Sequence, residues 1–444
     1  MSKGKSKKKH GAATPGVERT QPSNSGIAAE TTGRYLVLMR EGTAKANVEA
    51  LKNVAGVKAA SSFDFKKGAV NMETLGGAQA VVFESLGVAV MDAPPDQTEA
   101  VSFAISGDNP ILAIEPERIV YAVGDASADY LRGYRDAVNQ LTDKILGQSP
   151  DEPELSVAGI DQSKLTYGLQ LTNASISRFT GKGIRVAVLD TGLDVGHPDL
   201  AGRKITTQSF IFNETIDDVH GHGTHCIGTA CGSLKPKKLP RYGVAYEAEI
   251  FAGKVLSNRG FGSDGGILAG IDWALTNGCA VISMSLSAPV GPGEAFSQIY
   301  ENVGIRAMNA GALIVAAAGN DSRRSGFIAP VGHPANCPSI LAVAAIDKKF
   351  KIASFSNGGI NTNGGGIDIA APGVDVRSSV PRNKLYKEMS GTSMATPHVA
   401  GIAALYAESD PALRGQALWM ALVSRTRRLD LPSRDVGMGL VQAP

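Results

Sequence analysis

From about residue 161 onward, short runs that are apolar at almost every position recur between helix-like stretches. They are IRVAVLD (184–190), AEIFAGKVL (248–256), CAVISMSLS (279–287), GALIVAAAGN (311–320), ILAVAAID (340–347) and IDIAAPG (367–373). A strand with one wet face alternates apolar and polar residues, whereas a strand apolar throughout has both faces covered. Strands of the second kind, separated by helical patterns, predict an α/β fold: a parallel sheet flanked by helices. DGGILAGIDWALTNG (264–278) reads as one such helix, with Gly278 placed as its C-cap. Sites in these sheets form outside the carboxyl ends of the strands, so the residues closing each run are the first candidates for chemistry.

A chain of 444 residues leaves room for a second unit ahead of this sheet. Residues 1–33 are polar and lysine-rich and read as a disordered basic tail. No aromatic residue is interleaved with the lysines to stack on bases, so a solvated tail is favoured over nucleic-acid binding. Residues 34–122 read β-α-β-β-α-β, a small α+β, ferredoxin-like domain. Its segments are RYLVLMR (34–40), NVEALKNVAGV (47–57), AQAVVFESLGVAVMD (78–92, broken at Leu86-Gly87), PPDQTEAVSFAIS (94–106) and NPILAIEPERIVYA (109–122). A helical and acidic connector spans 123–160: Leu131, Tyr134, Val138, Leu141 and Ile145 share one helix side, and SPDEPELS (149–156) reads as an exposed linker. The sheet-bearing domain then spans 161–444.

The bulk numbers exclude several classes. A net charge of +2 does not describe a polyanion binder or an acidic solvating chain. No apolar run of about 18 residues predicts a membrane span. The charged N-terminus has no apolar run behind it, so no secretory signal is visible and a cytoplasmic location is favoured, with secretion as the alternative. Cys226, Cys231, Cys279 and Cys337 lack CxxC spacing and read as free, buried thiols.

The strand ends carry the chemistry. Asp190 closes its run; a carboxylate there caps the next turn or orients a histidine. DVHGHGTHCIGTACG (218–232) holds His220, His222 and His225. As a metal cradle, His-x-His-x-x-His is plausible in ligand type, but Thr224 stands where dinuclear zinc sites carry an acid, and the other histidines are isolated. Asn320 closes GALIVAAAGN and is either a turn former or an amide aimed at a developing oxyanion. Ser393 lies where a helix begins, a place suited to an N-cap and also to negative charge.

Taken together, these four positions resemble the subtilisin-like (subtilase) serine proteases. VAVLDTGLDVGHPDL (186–200), HGTHCIGT (222–229), AAAGN (316–320) and GTSMATPHVAG (391–401) are similar to that family's aspartate, histidine, oxyanion-asparagine and nucleophile segments, in subtilisin order. The resemblance covers 161–444, including VGMGLVQA (436–443). It implies that Asp190, His222 and Ser393 are catalytic, that Asn320 is the oxyanion donor, and that His225 packs behind the site while His220 is a loop residue. It further implies substrate pairing along Gly260, Phe261 and Gly262 on one side and Ser285, Leu286 and Ser287 on the other. Ala317, Gly319 and Gly332 would complete the pocket for the residue before the cut, and Ser287, where many relatives carry Gly, narrows or polarises one wall.

By the same resemblance, the partners are polypeptide substrates and the chain's own N-terminal domain, an intramolecular inhibitor whose tail near IVYAVGD lies product-like in the active site. No cofactor is implied for the chemistry. A structural calcium would use an aspartate matching Asp199 and the loop after the histidine helix, but SLKPKKLPRYG (233–243) brings Lys235, Lys237, Lys238 and Arg241, which oppose a divalent ion. The resulting expectation is a self-processing serine endopeptidase. The competing classes are a catalytically silent binding module on the same fold and a zinc hydrolase built on the three histidines.

Overall fold

The computed structural model describes residues 29–40, 44–65, 70, 77–105, 109–123 and 160–444. The basic tail before residue 29, the connector helix and the acidic linker lie outside the described residues.

The N-terminal domain runs β1 (Thr31–Met39), α1 (Ala44–Ala55), β2 (Ala59–Ser61), β3 (Ala80–Phe83), β4 (Val88–Met91), α2 (Pro95–Ala104) and β5 (Ile111–Ala122). Its sheet has the order β5-β1-β4-β3-β2, antiparallel except for β2 against β3. The break at Leu86-Gly87 is the turn between β3 and β4. The first strand begins at Thr31, three residues before the sequence pattern turns apolar.

This small sheet is buried on both faces. Val37, Met39, Val82, Ala89 and Met91 pack with Leu51 of α1 and Val101 of α2 into the domain's own core. Their strand neighbours Leu36, Leu38, Val81, Phe83, Val88 and Val90 face the other way, into the core of the large domain. Side chains alternate faces with a period of two, so apolar residues at every position of AVVF and VAVM meant two covered faces. Each buried Val, Leu, Phe or Met side chain among them contributes about 1.5–3 kcal/mol.

The large domain centres on seven parallel strands. They are β6 (Arg185–Asp190), β7 (Ile205–Ser209), β8 (Glu249–Lys254), β10 (Val281–Met284), β12 (Leu313–Ala317), β13 (Leu341–Ile346) and β14 (Ile369–Pro372). The order is β14-β13-β12-β10-β6-β8-β7. Helices α3 (His222–Cys231), α4 (Asp264–Thr276), α5 (Gln298–Asn309) and α6 (Thr392–Ser409) cover it, and α6 crosses the strands as a buried helix. CAVISMSLS splits: β10 joins the sheet, whereas β11 (Leu286–Ser287) leaves it to form a channel edge with β9 (Phe261–Ser263). At the end of α4, Asn277 holds the C-cap and Gly278 follows with φ +65°, the left-handed turn that favours glycine. All four cysteines are free and buried. No helix among the described residues is long and apolar enough to cross a membrane.

Candidate active site

Three elements bring the site together. Strand β6 ends on Asp190, helix α3 begins on His222, and helix α6 carries Ser393 as its second residue. Helix α3 is pressed against the turn after β6: a Cβ on Gly223 would lie 2.9 Å from the Gly192 nitrogen, so only glycine allows this approach. Asp218 pins the start of α3. Its Oδ1 accepts the Gly221 N–H at 2.7 Å and the Thr191 hydroxyl at 2.8 Å, and its Oδ2 accepts the Thr224 N–H at 2.8 Å.

Asp190 and His222 are buried and joined, Nδ1 to Oδ1, at 2.7 Å. Burial raises the Asp190 carboxyl, but contact with His222 and the Thr191 N–H outweighs it and the pKa is lowered. An ionised carboxylate only accepts, so Nδ1 carries the hydrogen and Nε2 is left as the ring's basic atom. Burial alone would lower the His222 pKa; the Asp190 carboxylate more than offsets this and holds it well above the usual imidazole value. His222 Nε2 has no hydrogen-bond partner among the described residues.

Ser393 Oγ donates to the Ser285 carbonyl at 3.1 Å rather than to His222. The Ser285 hydroxyl in turn donates to the Ser393 carbonyl at 2.9 Å. Cys226, one turn along α3, lies between the two: its Sγ is 3.8 Å from His222 Nδ1 and 3.5 Å from the Ser393 carbonyl. Burial pushes its thiol pKa up, which keeps it neutral.

Asn320 follows β12. Its Oδ1 accepts the N–H and the hydroxyl of Thr392, both at 2.9 Å, which turns Nδ2 outward without a partner among the described residues. A point on the Gly391 Cβ position is 2.9 Å from this Nδ2 and 3.1 Å from the Val123 carbonyl oxygen. The amide donor and the end of the N-terminal domain therefore face the same spot.

The strand leading there is β5. It pairs antiparallel with β9 (Val120 to Gly262, Tyr121 to Phe261) and with β11 (Ala122 to Leu286, Tyr121 to Ser287). The Ala122 N–H donates to the Gly260 carbonyl at 2.7 Å, and the Val123 N–H to that of Ser285 at 3.4 Å. Beside Val123, Gly332 donates to Ala318 at 2.9 Å, and a Cβ on Gly332 would run into Ser287 Oγ. Gly332 therefore links the 285–287 and 317–319 segments. Asp321, beyond Asn320, accepts from the Asn357 amide at 2.9 Å.

The three histidines of the 218–232 stretch do not converge as a metal cradle. His225 Nε2 is taken by the carbonyls of Val376 and Lys387 at 2.9 and 3.2 Å, and burial lowers its pKa to about 3. The His220 ring stands edge-on to His222, with centroids 6.1 Å apart. Among the described residues, the group of ligand atoms close enough to share an ion is Asp190, His222 and Cys226, which holds only one of the three rings.

Asp199 is also spoken for. Its Oδ2 accepts the Tyr242 and Tyr386 hydroxyls at 2.6 and 3.0 Å, and its Oδ1 accepts the Lys237 N–H at 2.8 Å. Protein donors saturate the carboxylate that a calcium would use, so the residues present do not fit a divalent ion there.

The subtilase family model matches residues 181–439, and the chain belongs to that family. It is a serine endopeptidase of the subtilisin type. It is 42% identical to a thermostable alkaline protease of Halalkalibacterium halodurans, over 59% of this chain and 67% of that one. Subtilisin E of Bacillus subtilis is 40% identical over 62% of this chain and 71% of its own. A Bacillus sp. alkaline elastase, YaB, is 38% identical over 62% and 68%.

Sequence reasoning did not find Thr392, Asp218 or Cys226. Thr392 and Cys226 sit inside the recognised motifs, adjacent to Ser393 and four residues from His222, and those spacings were the available signal. Asp218 lies three residues before the N-cap Gly221, outside the usual capping position, so no local signal marked it.

Proposed function

We propose that Ser393 is the nucleophile, His222 the general base, Asp190 its orienting acid and Asn320 the oxyanion donor. The observation that supports this best is the buried 2.7 Å Asp190–His222 contact, with Asn320 Nδ2 and the Val123 carbonyl oxygen 2.9 and 3.1 Å from the Cβ position of Gly391, two residues before Ser393. Ser393 leaves the Ser285 carbonyl by rotating between staggered χ1 wells and turns its hydroxyl to His222 Nε2. Oγ then bonds to the substrate carbonyl carbon as its proton passes to Nε2. The oxyanion is held by the Asn320 amide and the Ser393 N–H, a first-turn donor with no intrahelical partner. The C–N bond breaks as His222 returns the proton to the leaving amine, and water then hydrolyses the acyl ester.

Residues 34–122, extended by the observed strand to Thr31 and Val123, act as an inhibitory propeptide. Three features support this reading: the antiparallel pairing of β5 along both channel edges, the shared apolar core, and the end of the strand at the oxyanion spot. Two carboxylates reinforce the docking. Glu117 accepts the Gly265 N–H at 2.8 Å at the start of α4, and Glu115 accepts the Gln298 N–H at 2.8 Å at the start of α5. Both sit where the helix dipole favours negative charge. A fluorophosphonate probe should label the processed chain at Ser393 and leave Ser393→Ala unlabelled; a processed but unlabelled wild type would favour the silent binding module.

A further inference from the structure

The main-chain ladder between β5 and β9 stops at Ile119 and Ser263, because the next residue, Asp264, opens helix α4 and Ser263 becomes its N-cap. One residue further along, the Arg118 N–H still finds an acceptor: Asp264 Oδ2, at 2.9 Å. That carboxylate is fully buried and is held from behind. His333 Nε2 meets its Oδ1 at 2.9 Å. His333 exchanges two backbone hydrogen bonds with Ala288, just past β11, and its ring stands edge-on to Tyr300 at 4.6 Å. The Tyr300 hydroxyl donates to the Asp264 carbonyl at 3.0 Å. The clamp therefore ties one channel edge to the other beneath the bound strand.

We propose that Asp264, aimed by His333, is a substrate-binding residue that accepts the backbone N–H of the sixth residue before the cut, extending recognition beyond the paired edge strands. This rests on β5 lying as a product would, with Val123 as the residue before the cut and Arg118 as the sixth. A buried carboxylate is costly without its hydrogen bonds. When the N-terminal domain leaves, Asp264 loses the Arg118 N–H, and an incoming chain restores it. The acceptor reads backbone, so it selects for an extended, unblocked sixth residue rather than for a side chain.

The test uses the processed enzyme and the N-acetylated hexapeptide of residues 118–123, in which Arg118 carries an amide N–H, joined to a chromogenic amine and either unmodified or N-methylated at one backbone amide. Methylation at the sixth position before the cut should lower kcat/KM about tenfold, the worth of a hydrogen bond to a charged group. Asp264→Ala should bring the ratio of the two peptides close to one. Asp264→Asn, which keeps the shape, should reduce it to a few-fold. Methylation at the second position, which removes the bond to the Gly260 carbonyl, should slow cleavage by every variant. Loss at the second position without loss at the sixth overturns the role of Asp264. Loss at the sixth position that persists in Asp264→Ala or is unchanged in Asp264→Asn overturns it too. Methylation at the second position without effect would instead contradict the product-like register itself.

Discussion

Asp190 fixes both the tautomer and the basicity of His222, so one substitution should change two observables. Asp190→Asn leaves the shape but permits the wrong tautomer, and kcat/KM should fall by about 10⁴. The neutral base appears as pH rises, and a raised His222 pKa delays it. The acid limb of the wild-type kcat/KM profile should therefore lie above the ordinary imidazole value, and Asp190→Asn should move it to lower pH. A limb that stays put would mean that Asp190 is not the charge felt by the ring. Asn320→Ala should lower kcat and leave KM nearly unchanged; the expected loss, about 10²–10³, is subtilisin's own figure for this donor. The four residues proposed for the site were readable as candidates because each lies inside a continuous motif. The side chains that aim them were not: Thr392 meets Asn320 across 72 positions, and Asp264 meets His333 across 69, distances that no local pattern encodes.

At the scale of elements, strands apolar at every position announced the parallel sheet, and the same rule explains the doubly covered sheet of the N-terminal domain. What escaped was short or polar. Strand β2 has three residues, and β7, ITTQS, is half-wet at the sheet edge and lacks the apolar run. The loop after α3 was read as hostile to a cation from its lysines. The observed arrangement is more specific, with two tyrosine hydroxyls and a backbone N–H closing around Asp199. Tyr242→Phe removes the shorter of the tyrosine bonds within a buried cluster and should destabilise the processed enzyme by about 1–3 kcal/mol. Thermal unfolding with and without calcium would check this: the loss should be the same in both. Full rescue by calcium would show that the ion can take the tyrosine's place.

For the whole molecule, the two domains share a core, and the last strand of the first ends near the Asn320 amide of the second. The interface face of the N-terminal sheet includes Phe83 and Val90, both fully buried. Phe83→Ala should weaken inhibition after cleavage, so activity should appear sooner in a processing time course; an unchanged lag would place the rate-limiting contact elsewhere. The most direct test of the central claim is mass spectrometry of the purified full chain beside Ser393→Ala. The wild type should release an N-terminal fragment whose first-formed end is Val123, while Ser393→Ala stays whole. Identical fragments from both would contradict self-cleavage by Ser393, and a first cut that spares the Val123–Gly124 bond would contradict the register of β5 in the channel.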